Sequence, residues 1–196
     1  MEIRLLTGAR MRDHVDALAR LRITVFREFP YLYDGDIDYE TRYLDTYARS
    51  EQSLCVLAID AGRPVGAATG IPLDAETEEC RQPFEAAGID PAGVFYFGES
   101  VLLPAYRGRG LGVRFIDERE AYARRLERFR LCAFCAVERP LDHPRRPPDY
   151  QPLNAFWRKR GFAPAPGLAT SFRWRDIDEA TESAKPMNFW VKEIAG

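Results

Sequence analysis

Cysteine is scarce in this chain, at four in 196 residues. Cys55, Cys80, Cys132 and Cys135 stand mostly among apolar neighbours, which predicts reduced, buried thiols and excludes a disulfide-stapled scaffold. Long hydrophobic runs are absent too: no stretch approaches the roughly 20 apolar residues that a membrane span needs. Met1 to Arg22 carries charges every few residues instead of the apolar centre of a signal peptide, so the expectation is a soluble, cytoplasmic protein with no membrane partner. Neither charge sign is in excess. Twenty-eight basic against thirty acidic side chains leave a formal charge of -2, without the uniform field of a dedicated nucleic-acid-binding surface. Arg124, Arg125, Arg128 and Arg130 therefore read as a solvated helix face, and no nucleic-acid partner is expected. Internal repeats and low-complexity segments are also missing.

What is present is enough apolar residue, 46%, for one buried core, and a single domain over residues 1–196 is the default at this length. Glu2 to Leu6 alternates as a short edge strand. Val15, Leu18, Val25, Phe26 and Phe29 recur at helical spacing until Pro30. A weaker helical pattern runs through Tyr43, Leu44 and Tyr47. Leu54 to Ile59, a turn at Asp60 to Pro64, and Val65 to Ile71 form a hairpin. Pro72 to Gly93 is a long connection with a short helix near Cys80 to Ala87, a candidate lid or insertion. Phe95 to Leu103 is the strongest strand. A glycine loop follows, then a helix burying Phe115, Ile116, Tyr122, Ala123, Leu126 and Phe129, with Glu120 and Arg124 paired on its exposed side. Leu131 to Val137 is another strand, which completes a βαβ unit. The loop Glu138 to Pro152 holds five prolines, Leu153 to Arg160 forms a short helix ending at Gly161, and Ser171 to Trp174 and Met187 to Val191 close the chain as strands. The fold class is α/β with mixed α+β character.

The chemistry concentrates in Arg107-Gly108-Arg109-Gly110-Leu111-Gly112. A glycine run between strand and helix lets backbone N–H groups converge on an anion at a helix N-terminus, so it reads as a phosphate cradle. A P-loop would continue with Lys and Ser or Thr, where Val113 and Arg114 stand. A dinucleotide fingerprint would need a glycine at Val113 and an acidic residue about twenty positions on, where Arg130, Leu131 and Cys132 stand.

The same six residues after an apolar strand resemble the acetyl-CoA signature of the GNAT superfamily of N-acetyltransferases, and the order of elements follows that superfamily over essentially the whole chain. Trp157 to Phe162 resembles its late helix and Gly-Phe pair. The resemblance implies a mixed, mostly antiparallel central sheet with helices on both faces and a splayed strand pair that holds the cofactor. It implies acetyl-CoA as cosubstrate and no metal. Arg107, Gly108, Arg109, Gly110, Leu111 and Gly112 would hold the pyrophosphate, and Val101, Leu102 and Leu103 the pantetheine arm as an added strand. A backbone N–H there would also stabilise the oxyanion. The implied reaction is direct attack by an amine in a ternary complex. Glu99 is the candidate base, directly or through a water, with a structural pairing to an arginine as the competing reading.

The sequence departs from the family where the leaving thiolate would meet a tyrosine, because Trp157 stands there and cannot act as an acid. Tyr150 is the substitute candidate. It also occupies the place of the family's frequent asparagine, and Asn154, one helical turn later, joins the expected cofactor set. Phe29, Tyr31 and Tyr33, beside Asp34, Asp36, Asp38 and Glu40, are the expected acceptor wall, suited to a cationic amine, either a small molecule or a peptide. In the plainer reading this is a solvated loop with Asp38 capping the next helix. The acidic spacing imitates a calcium loop, but Tyr39 replaces the required glycine. Cys132 and Cys135 have zinc-like spacing without a second pair, and His143 could line the acceptor mouth. Gly98-Glu99-Ser100 lacks the turn of a serine-hydrolase elbow. Two other functions stay in view: a coenzyme A-binding sensor or scaffold without turnover, and an acyltransferase using another acyl-CoA. Nothing in the residues chooses between a monomer and a homodimer.

Overall fold

The computed structural model describes residues 1–194. The apolar run after residue 53 becomes β2 (Leu54–Asp60), buried on both faces. Cys55, Leu57 and Ile59 enter one core, and Leu54, Val56 and Ala58 enter the other. Successive residues of a strand face opposite ways, so a continuous apolar run needs cover on both sides. α1 (Val15–Phe26), α2 (Ile37–Arg49) and α3 (Glu78–Ala86) supply one cover through Leu18, Leu21, Leu44, Tyr47, Cys80 and Phe84. α4 (Leu111–Arg125) and α5 (Asn154–Lys159) supply the other, through Phe115, Ile116 and Tyr122 and through Phe156 and Trp157.

The remaining strands are β1 (Glu2–Thr7), β3 (Arg63–Pro72), β4 (Val94–Tyr96), β5 (Ser100–Leu102), β6 (Leu131–Val137), β7 (Ala163–Trp174) and β8 (Ser183–Glu193). They form one sheet in the order β1-β2-β3-β4-β6-β8-β7, with β5 pairing β3. Among the described residues, only β4 and β6 run parallel. This is the mixed, mostly antiparallel sheet with helices on both faces. Among the described residues no helix is long and apolar enough to cross a membrane.

The strand expected as continuous from Phe95 to Leu103 is broken. Ile71 faces Tyr96 and Ala68 faces Ser100, so three steps along β3 are matched by four along its partner. The extra residue is a β-bulge at 97–99, a device that bends a strand and re-aims its side chains. Gly98 makes it feasible: a Cβ there would overlap the Tyr47 hydroxyl and lie 2.7 Å from Thr69 Oγ1. Gly98→Ala is therefore expected to destabilise the fold by about 1–3 kcal/mol through overpacking, lowering the melting temperature by roughly 2–4 °C per kcal/mol. An unchanged melting curve would show that the bulge tolerates a side chain.

Three other expectations need correction. α1 ends at Phe26 rather than near Phe29, and a 3-10 turn over Gly8–His14 precedes it. The cap of α2 is Asp36, which accepts from the Tyr39 N–H at 2.7 Å, not Asp38. β7 starts well before Ser171 and β8 before Met187, because their ladder survives a shift between Pro164 and Ala169 that the prolines and Gly167 concealed. The four cysteines are free; Cys55, Cys80 and Cys132 are buried and Cys135 is partly so.

Candidate active site

The bulge opens a gap in the sheet. β4 is paired with β3 on one side and β6 on the other, and the Phe97 N–H still reaches the Ala133 carbonyl at 2.7 Å. Past that point β5 stays with β3, while β6 keeps only β8. Phe134 to Val137 are accordingly half-buried although their strand is central. The two strands thus splay as the resemblance implied.

Alternation then decides which backbone groups face the gap. Thr69 N–H donates to the Glu99 carbonyl at 3.1 Å, and Leu103 N–H donates to the Val65 carbonyl at 3.0 Å. In an antiparallel ladder the intervening Val101 also turns to β3, so the N–H groups of Ser100 and Leu102 face the open side. Of Val101, Leu102 and Leu103, Leu102 is the one with a backbone donor toward the gap. Its carbonyl is engaged by the Arg107 guanidinium at 3.2 Å, and Arg107 also pairs with Glu28 at 2.9 Å. The Arg107 side chain is thereby a strap, and any anion contact falls to backbone.

That backbone is arranged for it. Gly108 and Gly110 have φ of +73° and +82°, and Gly110 is the N-cap of α4. A Cβ at either would meet nothing within 4 Å, so neither glycine serves close packing within the chain. Among the described residues, the first helix donor to find a backbone acceptor is Arg114, bonded to the Gly110 carbonyl at 3.0 Å. The N–H groups before it, at the positive end of a fifteen-residue helix, make an anion cradle. Leu111 is buried, Arg109 lies over Tyr106 at 5.4 Å, and a Cβ on Gly112 would be 3.5 Å from Phe156. Asn154 is exposed at the start of α5.

Just upstream, Glu99 is buried with its side chain 1% exposed and is paired through Oε2 with Arg22 Nη1. Arg22 Nε pairs at the same time with Glu40, whose side chain is 0% exposed. The guanidinium also lies over the Tyr43 ring at 4.4 Å. Burial pushes the Glu99 carboxyl up from its ordinary value, against the opposing pull of Arg22. Among the described residues, Glu40 Oε1 and Glu99 Oε1 have no hydrogen bond of good geometry, although the Tyr33 and Thr69 hydroxyls act on Glu40 and Glu99. From α4, Arg119 donates to the Thr69 and Glu99 carbonyls at 3.1 and 3.2 Å and to Ser100 Oγ at 2.7 Å. It holds the bulge shut behind Glu99, and burial lowers its pKa to about 10.

The expected acceptor residues divide. Phe29 meets Tyr150 edge-on at 4.7 Å and His143 at 5.6 Å, with Arg146 over both Phe29 and Tyr150. Tyr31 packs on Phe26 at 4.4 Å and Trp174 at 6.0 Å. Burial raises its hydroxyl pKa, and Cys135, Arg22, Tyr150 and Glu99 all act on it electrostatically. Tyr33 pairs with Asp176 as a bridge, and its hydroxyl, raised chiefly by burial, faces Glu40. Asp34 is tied to Arg27 and Arg175, Asp36 is the helix cap and Asp38 is exposed. Of the acidic stretch only Glu40 turns inward. Trp157 packs on Phe134 and Trp190, each at 5.0 Å, as a wall. Among the described residues no cluster of acidic, His or Cys side chains could hold a metal ion.

Sequence reasoning missed Arg22 and Arg119, and it placed Glu40 in an acidic acceptor wall without its buried pairing. Each is a charge on an apolar helical stripe: Arg22 with Leu18 and Val25, Glu40 with Leu44 and Tyr47, Arg119 with Phe115 and Tyr122. Such placement marks a buried, paired charge.

The chain matches the family model of the GNAT acetyltransferases over residues 18–162. No relative among curated proteins matches it in sequence. Among solved structures, the ribosomal-protein-alanine N-acetyltransferase of Brucella melitensis is similar at 15% identity with a TM-score of 0.63, covering 99% of this chain and 100% of that one. A GNAT-like decarboxylase, GphF, in complex with isobutyryl-CoA is similar at 19% identity with a TM-score of 0.62, covering 98% and 99%. An aminoglycoside 6'-N-acetyltransferase complexed with coenzyme A is similar at 14% identity with a TM-score of 0.56, covering 100% and 98%.

Proposed function

The chain belongs to the GNAT family of acetyltransferases, and from that premise we propose that it transfers the acetyl group of acetyl-CoA to an amine acceptor by direct attack in a ternary complex. The observation that carries this reading is the departure of β5 from β6, which leads a strand edge with free N–H groups straight onto the Gly108–Gly112 cradle. Coenzyme A needs both an anion site and an apolar-walled slot for an amide-bearing arm. The backbone of Gly108 to Gly112 holds the pyrophosphate, and Leu102 N–H meets the thioester carbonyl as it gains negative charge. Glu99 takes the proton from the amine. The nitrogen bonds to the acetyl carbon, the carbon–sulfur bond breaks, and the thiolate is met by a donor.

Tyr150 is that donor. Its support is position: it packs edge-on against Phe29 of the expected acceptor wall. The acceptor enters over Phe29, Tyr31 and Tyr33, and Glu40 and Glu99 give this wall its acidic character. A second reading, a coenzyme A-binding sensor without turnover, draws on Trp157, which fills the usual tyrosine position and is packed as a wall.

Calorimetry with acetyl-CoA, followed by coenzyme A release across a broad amine panel, separates these. Binding with amine-dependent release is the expected result. Binding without release across the panel favours the sensor, and absence of binding overturns both.

A further inference from the structure

Arg22 serves two carboxylates with one charge, and among the described residues Glu40 Oε1 and Glu99 Oε1 have no hydrogen bond of good geometry, the Tyr33 hydroxyl being a polar neighbour of Glu40 and the Thr69 hydroxyl of Glu99. A bridge built only for stability would match charges one to one and leave no acceptor orphaned, because each buried unpaired oxygen costs about 1–3 kcal/mol. The guanidinium is planar with donors in a fixed fork. Its Nε is given to Glu40 and its Nη1 to Glu99 Oε2, which engages that oxygen and leaves Oε1 as the one Arg22 does not hold. Glu99 also immediately precedes Ser100, where the strand opens to the gap.

We propose that Arg22 is a positioning residue that holds Glu99 with Oε1 ready to take the acceptor's proton, and that Glu40, by drawing part of the same guanidinium, keeps Glu99 basic. This rests on Glu99 being the base of the transfer.

The other groups around Glu99 do not substitute for that pair. Arg119 on α4 donates to carbonyls and to Ser100, not to the Glu99 carboxylate. Glu76, after β3, is held by the Tyr47 hydroxyl at 2.7 Å and the Thr77 N–H at 2.7 Å. Tyr31, Tyr43 and Tyr47 and the Cys55 thiol also face Glu99, and burial raises each of them further above its ordinary value, so all four stay protonated at neutral pH. Arg119 through space and the Thr69 hydroxyl also pull the Glu99 carboxyl down, but Arg22 is the cation paired with that carboxylate and Glu40 is the carboxylate that shares it.

The test joins carboxyl carbon NMR of glutamate-labelled protein to the pH dependence of kcat/KM, with the Glu99 resonance identified by its loss in Glu99→Gln. In the unmodified protein that resonance should titrate above the ordinary glutamate value of about 4.3. In Glu40→Gln, both it and the acid limb of the rate profile should move to lower pH by about one unit, a tenfold weaker hold on the proton. Arg22→Lys should lower kcat about tenfold with KM for acetyl-CoA unchanged, since an ammonium cannot reproduce the fork. A Glu99 resonance unmoved in Glu40→Gln overturns the proposal while leaving the base reading intact. A resonance that moves while the rate profile stays overturns Glu99 as base, and the proposal with it. Should Glu40→Gln fail to fold, the wild-type titration decides alone: a Glu99 value inside the ordinary range overturns the proposal.

Discussion

Gly110→Val is expected to weaken acetyl-CoA binding roughly a hundredfold while leaving a folded protein detectable by circular dichroism. At φ +82° a β-branched residue is strained, and relief of that strain turns the neighbouring N–H groups away from a common focus. Loss of about two charge-assisted hydrogen bonds to phosphate is about 3 kcal/mol, which corresponds to that factor. The substitution meets no packing obstacle, since a Cβ at this position has nothing within 4 Å. Weakened binding therefore reports on the backbone and not on a clash elsewhere. Calorimetric titration of acetyl-CoA checks it, and unchanged affinity would remove the anion cradle from the account.

Glu99→Gln is expected to lower kcat by roughly 10²–10⁴, the usual contribution of a general base, with acetyl-CoA affinity retained. The amide keeps an oxygen for Arg22, and Arg22 keeps Glu40, so the pairing that orders the site survives. The sign with pH follows from burial, which raises the carboxyl above its ordinary value. Wild-type rate should rise with pH through that raised value as Glu99 loses its proton, and the variant should lack this limb. The gap between the two is largest above it and narrows at alkaline pH, where the acceptor amine deprotonates unaided. Steady-state rates across pH for both proteins check this, and a variant with full rate would reduce Glu99 to a partner of Arg22.

Much of this site was legible because local rules carried it. The glycine loop sits between a strand and an amphipathic helix, and both neighbours declare themselves by periodicity, so its place at the helix N-terminus followed from order alone, whereas the positive φ at Gly108 and Gly110 emerges only in the structure. The bulge at 97–99 was less visible, although Gly98 inside a strand pattern was its signal. Its cause is tertiary: Tyr47 from a distant helix occupies the space a side chain would need. Arg22 and Glu40 were invisible as partners for a related reason. A buried charge on one helix is intelligible only once the helix that supplies its counter-charge is in place. The acidic stretch before α2 shows the opposite case, where a cluster that looked functional resolves into two arginine partners for Asp34, a cap at Asp36 and one inward carboxylate at Glu40.

A crystal structure of the protein with coenzyme A tests the central claim most directly. The pyrophosphate is expected on the backbone N–H groups of Gly108 to Gly112, with the pantetheine arm running along Ser100 to Leu102 opposite the half-buried Phe134 to Val137. Coenzyme A bound away from the gap between β5 and β6, with the N–H groups of the glycine loop making no contact to phosphate, would contradict it.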